Sequence, residues 1–184
     1  MYAGHFAAGL AIKARVPEAP TIGLLTAVTL LDLLFAPFVL LGIERITPTP
    51  GHPPGFSLDY IDWSHSLLMS LVWSALFAAL FLKRGRLVAV TMAFAVFSHF
   101  LLDLLMHPGD LALWPGSKLH VGFGIWNWLP SGWWFFELGF ILLCGAYYLA
   151  RARRLGGFGG RGWLAMGVIV LLHIANSPWL APNS

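Results

Sequence analysis

Five long apolar runs constrain this chain more than any other feature. They lie at about 21–42, 64–82, 87–106, 133–151 and 162–181, and each approaches the roughly 20 residues that an α-helix needs to cross a bilayer. Charged residues make up only 10% of the sequence, whereas soluble domains carry about a quarter. We therefore predict an all-α, polytopic membrane protein with about five transmembrane helices in a single domain over residues 1–184.

A shorter apolar segment precedes the first run. Residues Gly4 to Ile12 are mostly apolar and end at Lys13 and Arg15, so they are too few to span a bilayer. We predict a short N-terminal half-helix here. If the two charges mark the inner surface, a rise of about 1.5 Å per residue places His5 about 12 to 15 Å deep.

The basic residues alternate between connections. Connections 43–63 and 107–132 hold only Arg45 and Lys118, so the positive-inside rule places both outside, the N-terminus in the cytoplasm and the C-terminus outside. This spread between apolar runs excludes nucleic acid as a partner despite the net charge of +3, and it favours membrane lipids. The other nine of the eleven basic residues lie in the alternate connections: Lys13, Arg15, Lys83, Arg84, Arg86, Arg151, Arg153, Arg154 and Arg161.

Tryptophan is concentrated in or beside the second outer connection. Because tryptophan prefers the headgroup level of a bilayer, we expect residues 111–132 to lie along the outer surface as a lid or a re-entrant segment. The residues concerned are Trp114, Trp126, Trp128, Trp133 and Trp134.

Ionisable side chains interrupt the apolar runs. Asp32 lies mid-span in LLDLL, and His65 begins the second span. His99 and Asp103 are four residues apart in SHFLLDLL, which places both on one face of a helix. An Asp within a membrane span costs about 2.5 to 3.5 kcal/mol on insertion scales, so such residues indicate a functional site.

These residue types favour a metal site. Imidazole and carboxylate groups are ligands for zinc, manganese or iron, and a cation would offset the two buried carboxylates. We estimate depth at about 1.5 Å per helical residue from the basic clusters that mark the inner surface. This places Asp32 about 16 Å deep and His65 about 27 Å deep, in the middle and outer half of the bilayer. The competing interpretation is a set of interhelical hydrogen bonds. We predict ordinary packing for His173, and solvation at the outer interface for Asp62 and Glu137.

Four segments of the sequence resemble a known family. GHFAAGLA, LLTAVTLLD, SHSLL and SHFLLDLLMHPGDLALWP are similar, in order and spacing, to the bacterial DUF457 or YdjM-like family, described as inner-membrane metal-dependent hydrolases. The resemblance covers about residues 1 to 117. It implies a location in the bacterial inner membrane and a polar set made of His5, Asp32, His65, His99 and Asp103.

The chain departs from the family pattern at two places. Leu31 and Leu34 stand where the family has Pro and a second acid around Asp32, and only His65 and Ser66 remain of a longer His-Arg-Gly-x-Thr-His-Ser element. Asp62 is the candidate to replace a missing polar group.

Three functions follow as hypotheses. The first is a metal-dependent hydrolase of a lipid-linked or phosphorylated amphiphile, with a divalent cofactor such as zinc or manganese. Its catalytic carboxylates would be Asp32 and Asp103, with Asp32 preferred as general base. The alternatives are a small transporter or metal-ion permease, and a noncatalytic membrane scaffold. The sequence makes no prediction of the oligomeric state.

Overall fold

Helices account for most of the fold. The computed structural model describes residues 1–49, 56–128, 131–154 and 160–180. The mostly helical architecture confirms the predicted helical class. In this part of the chain the helices are α1 (Tyr2–Arg15), α2 (Thr21–Val28), α3 (Leu30–Leu40), α4 (Asp62–His65), α5 (Leu67–Ala79), α6 (Arg86–Met106), α7 (Ile125–Trp128), α8 (Gly132–Arg154) and α9 (Gly160–Ala175).

Two small antiparallel sheets accompany the helices. Strand β1 (Arg45–Pro48) pairs with β2 (Phe56–Tyr60), and β3 (Leu111–Ala112) pairs with β4 (His120–Val121). Both sheets lie in the connections predicted to be outside. Strands of two to five residues are too short to show a clear alternation of apolar and polar residues, which is why the sequence did not reveal them.

The structure confirms only part of the five predicted spans. Within the part of the chain that the structure describes, two helices, α6 and α8, are long and apolar enough to cross a membrane, and a third span would exist if α2 and α3, bent by 52°, cross it together. Helices α5 and α9 are apolar but only 13 and 16 residues long. Five spans are therefore not confirmed, because turns shorten two of the apolar runs.

The N-terminal helix α1 lies inside the helical bundle. It packs against α2, α6, α8 and α9, and it ends at Arg15 because Val16 precedes a proline and leaves the helical region. Small residues let these helices approach closely. The predicted half-helix thus brings His5 into the interior. The buried small residues of α1 are Ala3, Gly4, Ala7, Ala8, Gly9 and Ala14.

The chain folds back over the C-terminal end of α6. This helix ends at Met106 because His107 precedes a proline and takes an extended conformation, with ψ 143°. The amide of Phe123 then donates to the Leu104 carbonyl (2.8 Å) and that of Gly124 to the His107 carbonyl (2.7 Å). The described part of the predicted lid segment is therefore anchored on α6. Residues 129 and 130 of that segment lie outside the described residues.

Gly122 permits this close return of the chain. A Cβ atom there would collide with the backbone at His107 and Gly109. We expect Gly122→Ala to lower the free energy of unfolding by about 1 to 3 kcal/mol, measured as thermal unfolding in detergent. Gly139→Ala is the matched control, because a Cβ on that residue of α8 meets no atom within 4 Å. Equal unfolding temperatures for the two variants would contradict the packing described here.

Candidate metal centre

Five predicted side chains meet inside the bundle. His5 comes from α1, Asp32 from the first turn of α3, His65 from the end of α4, and His99 and Asp103 from successive turns of α6. Four of them are buried, whereas the Asp32 side chain is 41% exposed. Helices from distant parts of the sequence thus deliver three imidazoles and two carboxylates to one place.

Asp103 lies among the three histidines. Its Oδ1 is 3.2 Å from His5 Nε2, and its Oδ2 is 3.0 Å from His99 Nε2 and 3.8 Å from His65 Nε2. Asp32 Oδ1 lies 3.6 Å from the Nε2 atoms of both His65 and His99. Two ligand atoms bound tetrahedrally to one ion at about 2.1 Å lie about 3.4 Å apart. The observed separations fall on either side of that value.

The candidate ligands form two overlapping groups. One contains His5, His99 and Asp103, the other contains Asp32, His65 and His99, and the ligand atoms of each lie within 4.8 Å of one another. The two oxygens of Asp103 face different histidines, Oδ1 toward His5 and Oδ2 toward His99 and His65. The amino nitrogen of Met1 also lies 3.3 Å from Asp103 Oδ1.

A break between α2 and α3 fixes the proton position of His99. The hydroxyl of Thr29 donates back to the Leu25 carbonyl (2.9 Å), an arrangement that bends helices. In a continuous helix, the Val28 carbonyl would accept from the amide of Asp32. At the break it accepts from His99 Nδ1 at 2.8 Å. Because a carbonyl can only accept, Nδ1 carries the proton, and Nε2 of the neutral ring has a free lone pair.

The free nitrogen of His99 provides a test of whether a metal fits. His99 is 1% exposed, and its Nε2 forms no hydrogen bond among the described residues, although Asp103 Oδ2 is only 3.0 Å away. His5 Nδ1 is likewise without a hydrogen bond in this part of the chain. A lone pair that faces a carboxylate oxygen is repulsive unless a cation lies between them. The donor set therefore fits a divalent cation such as zinc or manganese.

His65 is held from behind by a serine and a buried acid. Its Nδ1 is 2.6 Å from Ser64 Oγ, which lies 2.8 Å from both carboxylate oxygens of Glu44. Burial raises the pKa of Glu44, and the hydrogen bonds from Ser64 oppose that rise. Sequence reasoning missed Glu44. The available signal was an isolated acid directly after an apolar run.

Asp62 has a different role from the one considered for it. It is buried, with 4% exposure, so the prediction that it is solvated is wrong. Its Oδ2 accepts a hydrogen bond from the amide of Gly116 at 2.8 Å, and it belongs to neither ligand group. Asp62 therefore joins α4 to the connection after α6 instead of replacing a missing ligand.

Glu137 is also buried, contrary to the prediction of solvation. Its Oε1 accepts from the amide of Gly4 at 2.8 Å, and its Oε2 lies 3.7 Å from Nδ1 of the buried His173. The first amides of a helix have no partner within that helix, so Glu137 satisfies one at the start of α1. It thereby fixes the turn that carries His5. The ring of Trp134 stacks on His173, with 4.4 Å between centroids.

Comparison with known protein families identifies the relationship of the chain. The family model described as YdjM inner membrane protein matches residues 62–180, more than half of the sequence. The chain belongs to the YdjM inner membrane protein family. This confirms the resemblance and an inner-membrane protein, and the match includes His65, His99 and Asp103, whereas His5 and Asp32 precede it. No curated protein and no solved structure matches this YdjM-family chain.

The contact between Glu137 and α1 leads to a stability prediction. Glu137→Ala should lower the free energy of unfolding by about 1 to 3 kcal/mol, because the buried amide of Gly4 loses its acceptor. Glu137→Gln keeps an acceptor oxygen and should lose less. The control is Glu18→Ala, since Glu18 is exposed. If thermal unfolding in detergent shows equal losses for Glu137→Ala and Glu18→Ala, Glu137 does not stabilise α1.

Proposed function

We propose that this YdjM-family protein is a membrane-embedded, metal-dependent hydrolase. The observation that carries the proposal is the buried Nε2 of His99, which forms no hydrogen bond among the described residues although a carboxylate oxygen of Asp103 lies 3.0 Å away. The residues that would hold one or two divalent ions are His5, Asp32, His65, His99 and Asp103.

All five side chains would hold the ions, and Asp32 would have a second role in the reaction. A bound zinc or manganese ion would supply an activated water and polarise the scissile group. Asp103 is 4% exposed and lies among the histidines, so its role is to hold charge and orient them. Asp32 is the accessible carboxylate, with 41% side-chain exposure, and we assign it as the general base that accepts a proton from water.

The surroundings of Asp32 favour a substrate with both a polar and an apolar part. The next residue, Leu33, is 56% exposed. The ring of Phe35 packs edge-on against His65, with 5.8 Å between centroids. A phosphorylated or lipid-linked amphiphile would place its polar group at Asp32 and its chain along these apolar side chains.

The same proposal includes an orientation in the inner membrane. The N-terminus would be cytoplasmic, the C-terminus outside, and the site in the middle or outer half of the bilayer. Its support is the alternation of basic residues between connections, together with the anchoring of the Trp-rich outer segment on the end of α6.

Metal content tests the proposed ligands. Wild-type protein purified in detergent should contain about one or two zinc or manganese ions per chain by inductively coupled plasma mass spectrometry. His99→Ala and Asp103→Ala should each lose most of this metal, because each removes a buried ligand. His120→Ala is the matched control, since His120 is exposed. Wild-type protein without metal after incubation with zinc or manganese would refute the metal centre.

Hydrolysis tests the role of Asp32. Asp32→Asn keeps an oxygen for the metal but cannot accept a proton at neutral pH. We expect metal binding to persist while metal-dependent release of phosphate from short-chain phosphatidic acid in micelles falls by about 10² to 10⁴. An unchanged rate would remove Asp32 from the chemistry. Zinc uptake into proteoliposomes by a protein that hydrolyses no such amphiphile would favour the permease instead.

A further inference from the structure

The fold buries an acid behind the metal centre. After α3, Gly42 takes a left-handed conformation (φ 71°), which reverses the chain, and the amide of Glu44 donates to the Phe38 carbonyl at 3.1 Å. Glu44 is 1% exposed as a result, and the described residues offer it no salt bridge. Its hydrogen-bond donors come from the helix that carries His65.

The number of available protons determines which group donates in each hydrogen bond that links His65, Ser64 and Glu44. Ser64 has one hydroxyl proton, and its Oγ faces both Glu44 (2.8 Å) and His65 Nδ1 (2.6 Å). An ionised carboxylate only accepts, and it is the stronger acceptor, so the hydroxyl donates to Glu44. The Ser64 amide also donates to Glu44 Oε1 at 2.7 Å. His65 Nδ1 must then carry a proton and donate to Ser64 Oγ.

We propose that Glu44 is a positioning residue which, through Ser64, keeps the proton of His65 on Nδ1 and leaves Nε2 free to bind metal. The inference rests on the proposed metal centre and deepens it. His65 Nε2 faces Asp32 Oδ1 (3.6 Å) and Asp103 Oδ2 (3.8 Å), so its lone pair lies on the ligand side.

The Nδ1 proton of His65 is held in the same way as that of His99, and partners of this kind affect metal affinity. The Val28 carbonyl fixes the Nδ1 proton of His99, and Ser64 with Glu44 does the same for His65. Partners of this kind orient the imidazole and raise its basicity, and their loss typically costs about 10- to 100-fold in metal affinity. Glu44 itself touches neither metal nor substrate.

Replacing Glu44 by Gln should reverse the direction of donation in the hydrogen bonds between residue 44, Ser64 and His65. In Glu44→Gln, the side-chain amide can donate to Ser64 Oγ, whose hydroxyl then donates to His65 Nδ1. The His65 proton moves to Nε2, where it competes with metal. We expect the zinc dissociation constant to rise by about 10- to 100-fold in calorimetric titrations with zinc chloride. Glu44→Asp should restore part of the affinity, and Glu18→Gln, at an exposed acid, should leave it unchanged.

The ¹⁵N NMR signals of His65 provide the second measurement and require no metal. Assigned by their loss in His65→Gln, they should report the Nδ1–H tautomer in metal-free wild type and the Nε2–H tautomer in Glu44→Gln. An unchanged tautomer in Glu44→Gln would overturn the inference whatever the affinity, and would leave the metal centre standing if wild type binds zinc. A changed tautomer in a protein that binds no zinc would support the role of Glu44 and refute the proposed function.

Discussion

The burial of Asp103 among histidines is the interaction on which the site depends. A carboxylate in an apolar bundle is costly unless its charge is compensated, and the nearest ring nitrogens lie 3.0 to 3.8 Å from its oxygens. The amino group of Met1, 3.3 Å from Oδ1, compensates part of that charge, whereas Oδ2 faces the imidazole nitrogens of His99 and His65. Because the free nitrogen of His99 faces the same carboxylate without a hydrogen bond, a divalent cation is the simplest group that satisfies both.

Local departures from regular helix assemble this arrangement. The break at Thr29 bends the α2–α3 pair by 52° and frees the Val28 carbonyl to accept from His99. The same break places Asp32 in the first turn of α3. Interrupted helices are tolerated within membranes where their backbone is buried in protein or lines a cavity. Here the interruption provides both a candidate ligand and the acceptor that orients another candidate ligand.

Part of the site could be predicted from the sequence because it depends on local spacing. His99 and Asp103 are four residues apart on one helix, and the cost of an acid within an apolar run singles out Asp32. The five predicted spans are not confirmed, because an apolar run does not reveal the turns within it. Glu44 and Glu137 were missed as structural residues because their partners lie 20 and 133 residues away in sequence.

X-ray absorption spectroscopy of the zinc-loaded protein tests the central claim most directly. The structure predicts a shell of nitrogen and oxygen ligands at about 2.0 to 2.2 Å, with the outer-shell scattering of two or three imidazole rings. This imidazole scattering should weaken in His99→Ala. A spectrum of fully hydrated zinc, without imidazole scattering, would contradict a metal centre formed by these histidines.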